Sequence, residues 1–229
     1  MELTSLKDRV FVVTGATGAT GQVAALAFAE QGASLALLDN DQAKLETVIK
    51  DLNLPEKRLF SRIVDLRDGS AVRSAAEALT AKFGRVDGLI HLVGGWTGGK
   101  TLAEASPDDF ESMLGQHAWT TFHLFQSFGL HLAANKWGRV MIVSASTVPN
   151  PPGKAAAYSA AKAAQENLVL NLAAELKDSN VTANIIQVRA IDVKGEGKGT
   201  TPAEIVAAML YLCSDEAAKV SGARIPVVG

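Results

Sequence analysis

Val10-Phe11-Val12-Val13-Thr14-Gly15-Ala16-Thr17-Gly18-Ala19-Thr20-Gly21 is the stretch that decides the fold. Four apolar residues in a row read as a strand covered on both faces. Glycines at 15, 18 and 21 form a G-x-x-G-x-x-G turn, and helix formers fill residues 19–31. A glycine turn between a strand and a helix lets backbone approach a diphosphate. The free N–H groups at the helix N-terminus then receive its charge. Gly15, Thr17, Gly18, Ala19 and Gly21 are therefore candidate phosphate-loop residues.

The next strand, Ser34 to Leu38, leads into Asp39. An acid there accepts hydrogen bonds from the adenosine ribose hydroxyls and repels a 2′-phosphate. Asn40 and Asp41 supply no cation to offset that repulsion. The expected coenzyme is NAD(H) in preference to NADP(H). The bland alternative is that Asp39 only caps the helix that begins near Asp41.

The same alternation continues along the chain. Strands are expected at 59–64, 86–93, 139–143, 181–188 and 224–228, and helices at 41–52, 67–83, 106–135, 155–176 and 201–213. Ser106-Pro107-Asp108-Asp109 and Thr201-Pro202-Ala203-Glu204 are capped helix starts. Strands separated by helices imply right-handed βαβ crossovers. The expected fold is α/β: a single doubly wound parallel sheet (Rossmann fold) of about seven strands, helices on both faces, spanning residues 1–229 as one domain with the catalytic site inside it.

Composition narrows the function. Hydrophobic residues make up 48% of the 229 and the net charge is −2. No cation excess is present to neutralise a nucleic-acid backbone, so no nucleic-acid partner is expected. No apolar run is long enough for a membrane span, and the opening Met1–Arg9 is too charged for a secretory signal. One cysteine, Cys213, makes no internal bridge and reads as buried filler. A cytoplasmic location is expected. Histidines 91, 117, 123 and 131 form no metal motif, so no metal is expected.

Tyr158 and Lys162 lie four residues apart on an Ala-rich helix, which stacks them on one face. A phenol titrates near pH 10 and is a poor base at neutrality. A neighbouring ammonium favours the phenolate. Lys162 is thus expected to lower Tyr158, which then exchanges a proton while hydride moves to or from a nicotinamide.

With Thr14–Gly21, Asp39, Val64-Asp65-Leu66, Val93-Gly94, Tyr158-x-x-x-Lys162 and the closing Ser221-Gly222…Val227-Val228-Gly229, the chain resembles the short-chain dehydrogenase/reductase family along its whole length. The resemblance implies a nicotinamide-dependent oxidoreductase acting on a small-molecule substrate. It assigns Tyr158 as acid/base and Lys162 as the group that holds the nicotinamide ribose. Asp65 and Leu66 would flank adenine, and Gly94 would approach the adenosine ribose. It also implies a homodimer or homotetramer formed through the helices at 106–135 and 155–176, with the alanines at 155–157 and 160–161 as a small-residue contact surface.

Five departures from the family pattern stand out. Ala19 occupies the usual middle glycine of the loop. His91-Leu92-Val93-Gly94 replaces Asn-Asn-Ala-Gly, with loss of the polar residues that tie neighbouring strands. The Gly95-Trp96-Thr97-Gly98-Gly99 run after it is similar to the dihydropteridine reductases, which suggests a dihydropterin among the possible substrates, with Trp96 at the substrate mouth. His117 aligns with the usual proton-relay Asn, and is either a relay or a packed helix histidine. The catalytic serine position falls on Ala145, between Ser144 and Ser146. Either a bulge brings one of them into the site, with Ser146 the first choice, or the site lacks this hydroxyl. Finally, Pro-Gly is missing after the sixth strand, and Val193–Thr200 reads as a short, flexible, Gly-rich lid. The leading function is an NAD(H)-dependent reductase or dehydrogenase of a carbonyl/alcohol or imine-like centre. The rival is a dinucleotide-binding sensor or partner protein with little turnover.

Overall fold

The computed structural model describes residues 5–228, so Met1–Thr4 and Gly229 of the motifs above lie outside the described residues. Its strands are β1 (Val10–Thr14), β2 (Ser34–Asp39), β3 (Leu59–Ile63), β4 (Gly88–His91), β5 (Gly138–Ala145), β6 (Val181–Val188) and β7 (Arg224–Pro226). They form one sheet in the order β3-β2-β1-β4-β5-β6-β7, and every adjacent pair is parallel. Parallel neighbours need crossover connections. These contain α1 (Ala19–Glu30), α2 (Gln42–Leu52), α3 (Gly69–Phe83), α4 (Pro107–Leu114), α5 (Thr120–Ala134), α6 (Ala156–Glu175) and α7 (Pro202–Cys213). This is the doubly wound sheet that the alternation predicts.

Strand side chains alternate between faces, and each face carries its own core. Phe11, Val13, Leu35 and Leu37 pack with Phe28 of α1, Leu45 of α2 and Met209 of α7. Val10, Val12, Ala36 and Leu38 pack with Leu79 of α3, Phe128 of α5 and Val169 of α6. Because both faces are covered there, β1 and β2 read as continuous apolar runs, whereas the edge strands β3 and β7 are partly exposed. Among the described residues no helix is long and apolar enough to cross a membrane.

Strand order reverses between β1 and β4. Ligands of open α/β sheets sit in the crevice outside the carboxyl ends of strands at such a reversal. The loops leaving β1 and β4 therefore frame the site.

Two elements differ from their predicted form. The helix expected over 106–135 changes character at Gly115–Trp119, which forms a π turn between α4 and α5. Thr120 and Thr121 donate their hydroxyls to the carbonyls of Gln116 and His117, both at 2.7 Å. Hydroxyls bonded back to the preceding turn widen a helix locally. Strand β5 continues past Val143 through Ser144 and Ala145, which pair in unbroken register with Gln187 and Val188. The bulge considered for this region is therefore absent.

Candidate active site

Two cavities open at the carboxyl ends of the strands. The first, of about 380 Å³, is lined by Gly15, Gly18, Asp39, Asp65, Leu66 and Gly94, among others. Gly15 has φ +68, a conformation that side chains disfavour. A Cβ on Gly21 would overlap the Gly15 carbonyl oxygen and come within 2.8 Å of Ala16 Cα. Thr17, Ala19 and Gly21 thus shape the turn behind the two glycines that face the cavity. The helices α2, α3, α4 and α7 each have a side-chain cap, from Asp41, Asp68, Ser106 and Thr201. Helix α1 begins at Gly18 without one, as α6 does at Ala155, but only α1 begins at the glycine turn on the first cavity. Its first amides are left for an anion, as a diphosphate site requires. These residues fit a dinucleotide.

Asp39 is buried at the rim. Its carboxylate accepts N–H groups from Thr17 at 2.9 Å, Asn40 at 2.8 Å and Asp41 at 3.2 Å. The cap of α2 is Asp41, which accepts from Lys44 N–H. Asp39 therefore does not act as that cap, but ties the end of β2 to the glycine turn. Arg67 pairs with Asp65 at 2.8 Å, and the guanidinium holds the Asp65 carboxyl below its ordinary value.

The second cavity, of about 370 Å³, shares Leu92, Val93 and Gly94 with the first. Tyr158, Lys162, Ser144, His117 and Trp96 stand on its wall. Ser144 Oγ is buried and has no hydrogen-bond partner among the described residues. Ser146 is half-buried, donates its backbone N–H to Val188 at 2.9 Å and is not on the cavity wall. The regular β5 register thus puts Ser144, not the first-choice Ser146, on the cavity that Tyr158 also lines.

Tyr158 and Lys162 share the wall, but not with the electrostatics expected from their spacing. Burial pushes the Tyr158 phenol above its ordinary value. The Lys162 ammonium donates to Val143 O at 2.8 Å and to Gln165 Oε1 at 2.9 Å. Burial lowers Lys162 to about 8. Gln165 in turn donates to Thr121 Oγ1 at 2.9 Å, and Thr121 to the His117 carbonyl. A side-chain chain therefore runs from Lys162 to the π turn. Sequence reasoning missed Gln165 and Thr121, although Gln165 stands three residues beyond Lys162 on the same helix face.

Both site histidines are neutral. Burial lowers His91 and His117 to about 3, with the Lys162 charge adding to the effect. The His117 Nε2–H donates to Gly95 O at 3.0 Å, which leaves Nδ1 without a proton; that atom is buried and has no partner among the described residues. The His117 ring meets Tyr158 edge-on at 5.6 Å between centroids. His91 lies 2.7 Å from Thr14 Oγ1 and 3.2 Å from Thr120 Oγ1. Because Thr120 gives its own proton to Gln116 O, His91 donates to Thr120 and accepts from Thr14. The polar tie between β4 and its neighbours is thus kept by a histidine, contrary to the expected loss.

Two further expectations are narrowed and one is kept. Val193–Thr200 is closed on itself: Asp192 accepts the N–H groups of Glu196 and Lys198, both at 3.1 Å, and Thr200 bonds Ala190 and Asp192 across its base. Ala157 and Ala161 are buried against Met113 of the same chain, so these two of the five alanines serve internal packing. Burial pushes the Cys213 thiol up to about 12, in keeping with filler. Among the described residues no group of three or more His, Cys, Asp or Glu side chains is placed to hold a metal ion.

A doubly wound parallel sheet with an uncapped glycine turn at its reversal, joined to a wall of tyrosine and lysine, defines the class of dinucleotide-binding oxidoreductases. Residues 9–201 match the short chain dehydrogenase model, and the chain belongs to that family of oxidoreductases, which use a nicotinamide coenzyme and act on small molecules. It is 28% identical to meso-2,3-butanediol dehydrogenase of Serratia marcescens, over 97% of this chain and 94% of that one. It is 26% identical to 7alpha-hydroxysteroid dehydrogenase of Escherichia coli (strain K12), over 98% and 94% respectively. A solved NAD+-bound xylitol dehydrogenase shares the fold with a TM-score of 0.89 at 21% identity, over 99% of this chain and 100% of that one.

Proposed function

We propose that this chain is an NAD(H)-dependent oxidoreductase that moves hydride between nicotinamide and a small carbonyl/alcohol or imine-like substrate, dihydropterins included, with Tyr158 as proton donor and acceptor. The observation that carries the reading is that the two cavities meet at Leu92, Val93 and Gly94, which line both. One end offers the glycine turn and Asp39; the other offers Tyr158, Lys162 and Ser144. The NAD(H) preference rests on Asp39, with Gly15, Thr17, Gly18, Ala19 and Gly21 around the diphosphate, and Asp65, Leu66 and Gly94 along the adenosine.

When bound, a dihydronicotinamide supplies a hydride to an electrophilic carbon. Tyr158 then gives its hydroxyl proton to the oxygen or nitrogen that gains charge, and C=O becomes CH–OH. Its raised pKa keeps the proton in place at neutral pH until that charge develops. Ser144 steadies the same oxygen through its unpaired hydroxyl. Two Lys162 donors are held by Val143 and Gln165, which leaves a third for the nicotinamide ribose.

The proposal includes one self-contained domain in a cytoplasmic setting, and a homodimer or homotetramer formed through α4–α5 and α6. Trp119, Phe122 and Leu130, exposed on and beside α5, support that face. The test is Tyr158→Phe. NADH consumption across carbonyls and a quinonoid dihydropterin is expected to fall about 10²- to 10⁴-fold, while NADH affinity by fluorescence titration is retained. Unaltered turnover would remove Tyr158 from the chemistry. Tight NADH binding with no turnover of any substrate would favour a sensor instead.

A further inference from the structure

The chain leaves β6 at Val188 and turns through Arg189, Ala190 and Ile191. All four line the second cavity with Tyr158 and Lys162. Arg189 is thus the first residue beyond the carboxyl end of a strand, where open α/β sheets meet their ligands. Its side chain is exposed, and among the described residues it has no hydrogen-bond or ion-pair partner. Arg67 of the neighbouring cavity differs, since Asp65 already balances its charge. Among the described residues no lining residue of the second cavity is acidic, and the Lys162 ammonium adds a second cation to the same wall. Trp96, Val93 and Ile191 add apolar surface to that wall beside Ser144, His117 and Tyr158.

We propose that Arg189 makes this cavity a receptor for an anionic substrate: an oxo or hydroxy acid whose carboxylate meets the Arg189 guanidinium while its apolar body lies against Trp96 and Ile191. A guanidinium presents a planar fork of N–H donors that matches a carboxylate with two parallel bonds. A neutral substrate gains nothing from it. This inference rests on the oxidoreductase reading above and adds the substrate's charge class.

The test uses three probes with a phenyl end, benzoylformate, benzoylacetate and 3-benzoylpropionate, each paired with its methyl ester. The acids differ only in the distance from ketone to carboxylate. Each is titrated calorimetrically against the full chain with and without NADH, and turnover is followed by NADH absorbance. At least one acid is expected to bind about 10- to 100-fold more tightly than its ester. Arg189→Ala should remove that difference and Arg189→Lys should keep part of it. Esters that bind as well as every acid, or a difference that survives Arg189→Ala, would overturn the proposal. So would a neutral dihydropterin turned over far better than any acid. A chain that fails to bind NADH sinks the oxidoreductase reading separately, because the acid-to-ester comparison without coenzyme still judges Arg189.

Discussion

Asp39 clamps the glycine turn, and the proposed function gives the same carboxylate a second job. Three backbone N–H groups occupy it, and one of them, from Thr17, belongs to the glycine turn. A carboxylate offers about four acceptor positions, so one is left to face the cavity. The same charge that locks the turn stands where an adenosine ribose would lie. A coenzyme with a 2′-phosphate would bring a second anion against it with no free cation nearby among the described residues, since Arg67 is paired with Asp65 and Lys44 with Asp41. Asp39→Asn keeps an acceptor but removes the charge, and Asp39→Ala removes both. Both variants are expected to lower the ratio of NADPH to NADH dissociation constants by about tenfold or more, equivalent to roughly 1.4 kcal/mol. Fluorescence titration with the two coenzymes checks this. The ratio separates the charge effect from any loosening of the Thr17 turn, which weakens both coenzymes together. An unchanged ratio would leave Asp39 a purely structural clamp.

At the scale of elements, helix starts were legible and helix interiors were not. Thr201 and Glu204 form a reciprocal capping box at the start of α7, as do Ser106 and Asp109 at α4, and both follow from residue types at fixed spacing. Thr201→Ala removes the acceptor for Glu204 N–H and is expected to lower the unfolding free energy by about 1 kcal/mol. The urea midpoint should fall with an unchanged slope, and NADH affinity should hold. The π turn at Gly115–Trp119 carried no comparable signal, because threonine hydroxyls reach back to a preceding carbonyl in ordinary helices too. Ser144 was misjudged for a related reason. Ser144-Ala145-Ser146 reads as a polar exit from the strand, but pairing with Gln187 and Val188 keeps the first two in the ladder. Parallel partners come from distant sequence, so strand length is a tertiary property where local residues are ambiguous.

Across the whole molecule, the glycine turn, Asp39 and the Tyr158–Lys162 pair were readable because each depends on local backbone or on helical spacing. The wiring among them was not. His91 joins Thr14 on β1 to Thr120 at the start of α5, and the chain from Lys162 through Gln165 and Thr121 ends at the π turn. Each link spans elements that only the folded sheet brings together. This wiring has a consequence for acid stability. Unfolded histidines titrate near pH 6.5, whereas His91 and His117 stay neutral in the fold down to about 3. Between those values the unfolded chain binds more protons than the folded one, so stability rises with pH and is lost as pH falls through that window. Each histidine contributes a slope approaching about 1.4 kcal/mol per pH unit. Carboxyls held low by their partners, such as Asp109 at about 2, act in the same direction but only below their own unfolded values near 4. The interval from pH 6 to 4.5 therefore reports chiefly on the histidines. His91→Gln retains polar atoms for Thr14 and Thr120 without a titrating group. It is expected to flatten the pH dependence of urea unfolding in that interval by about one proton's worth, although the variant itself is less stable at pH 7. An equal slope in wild type and His91→Gln would mean that His91 takes up its proton in the folded chain, and that the Thr14–His91–Thr120 bridge opens before the fold does.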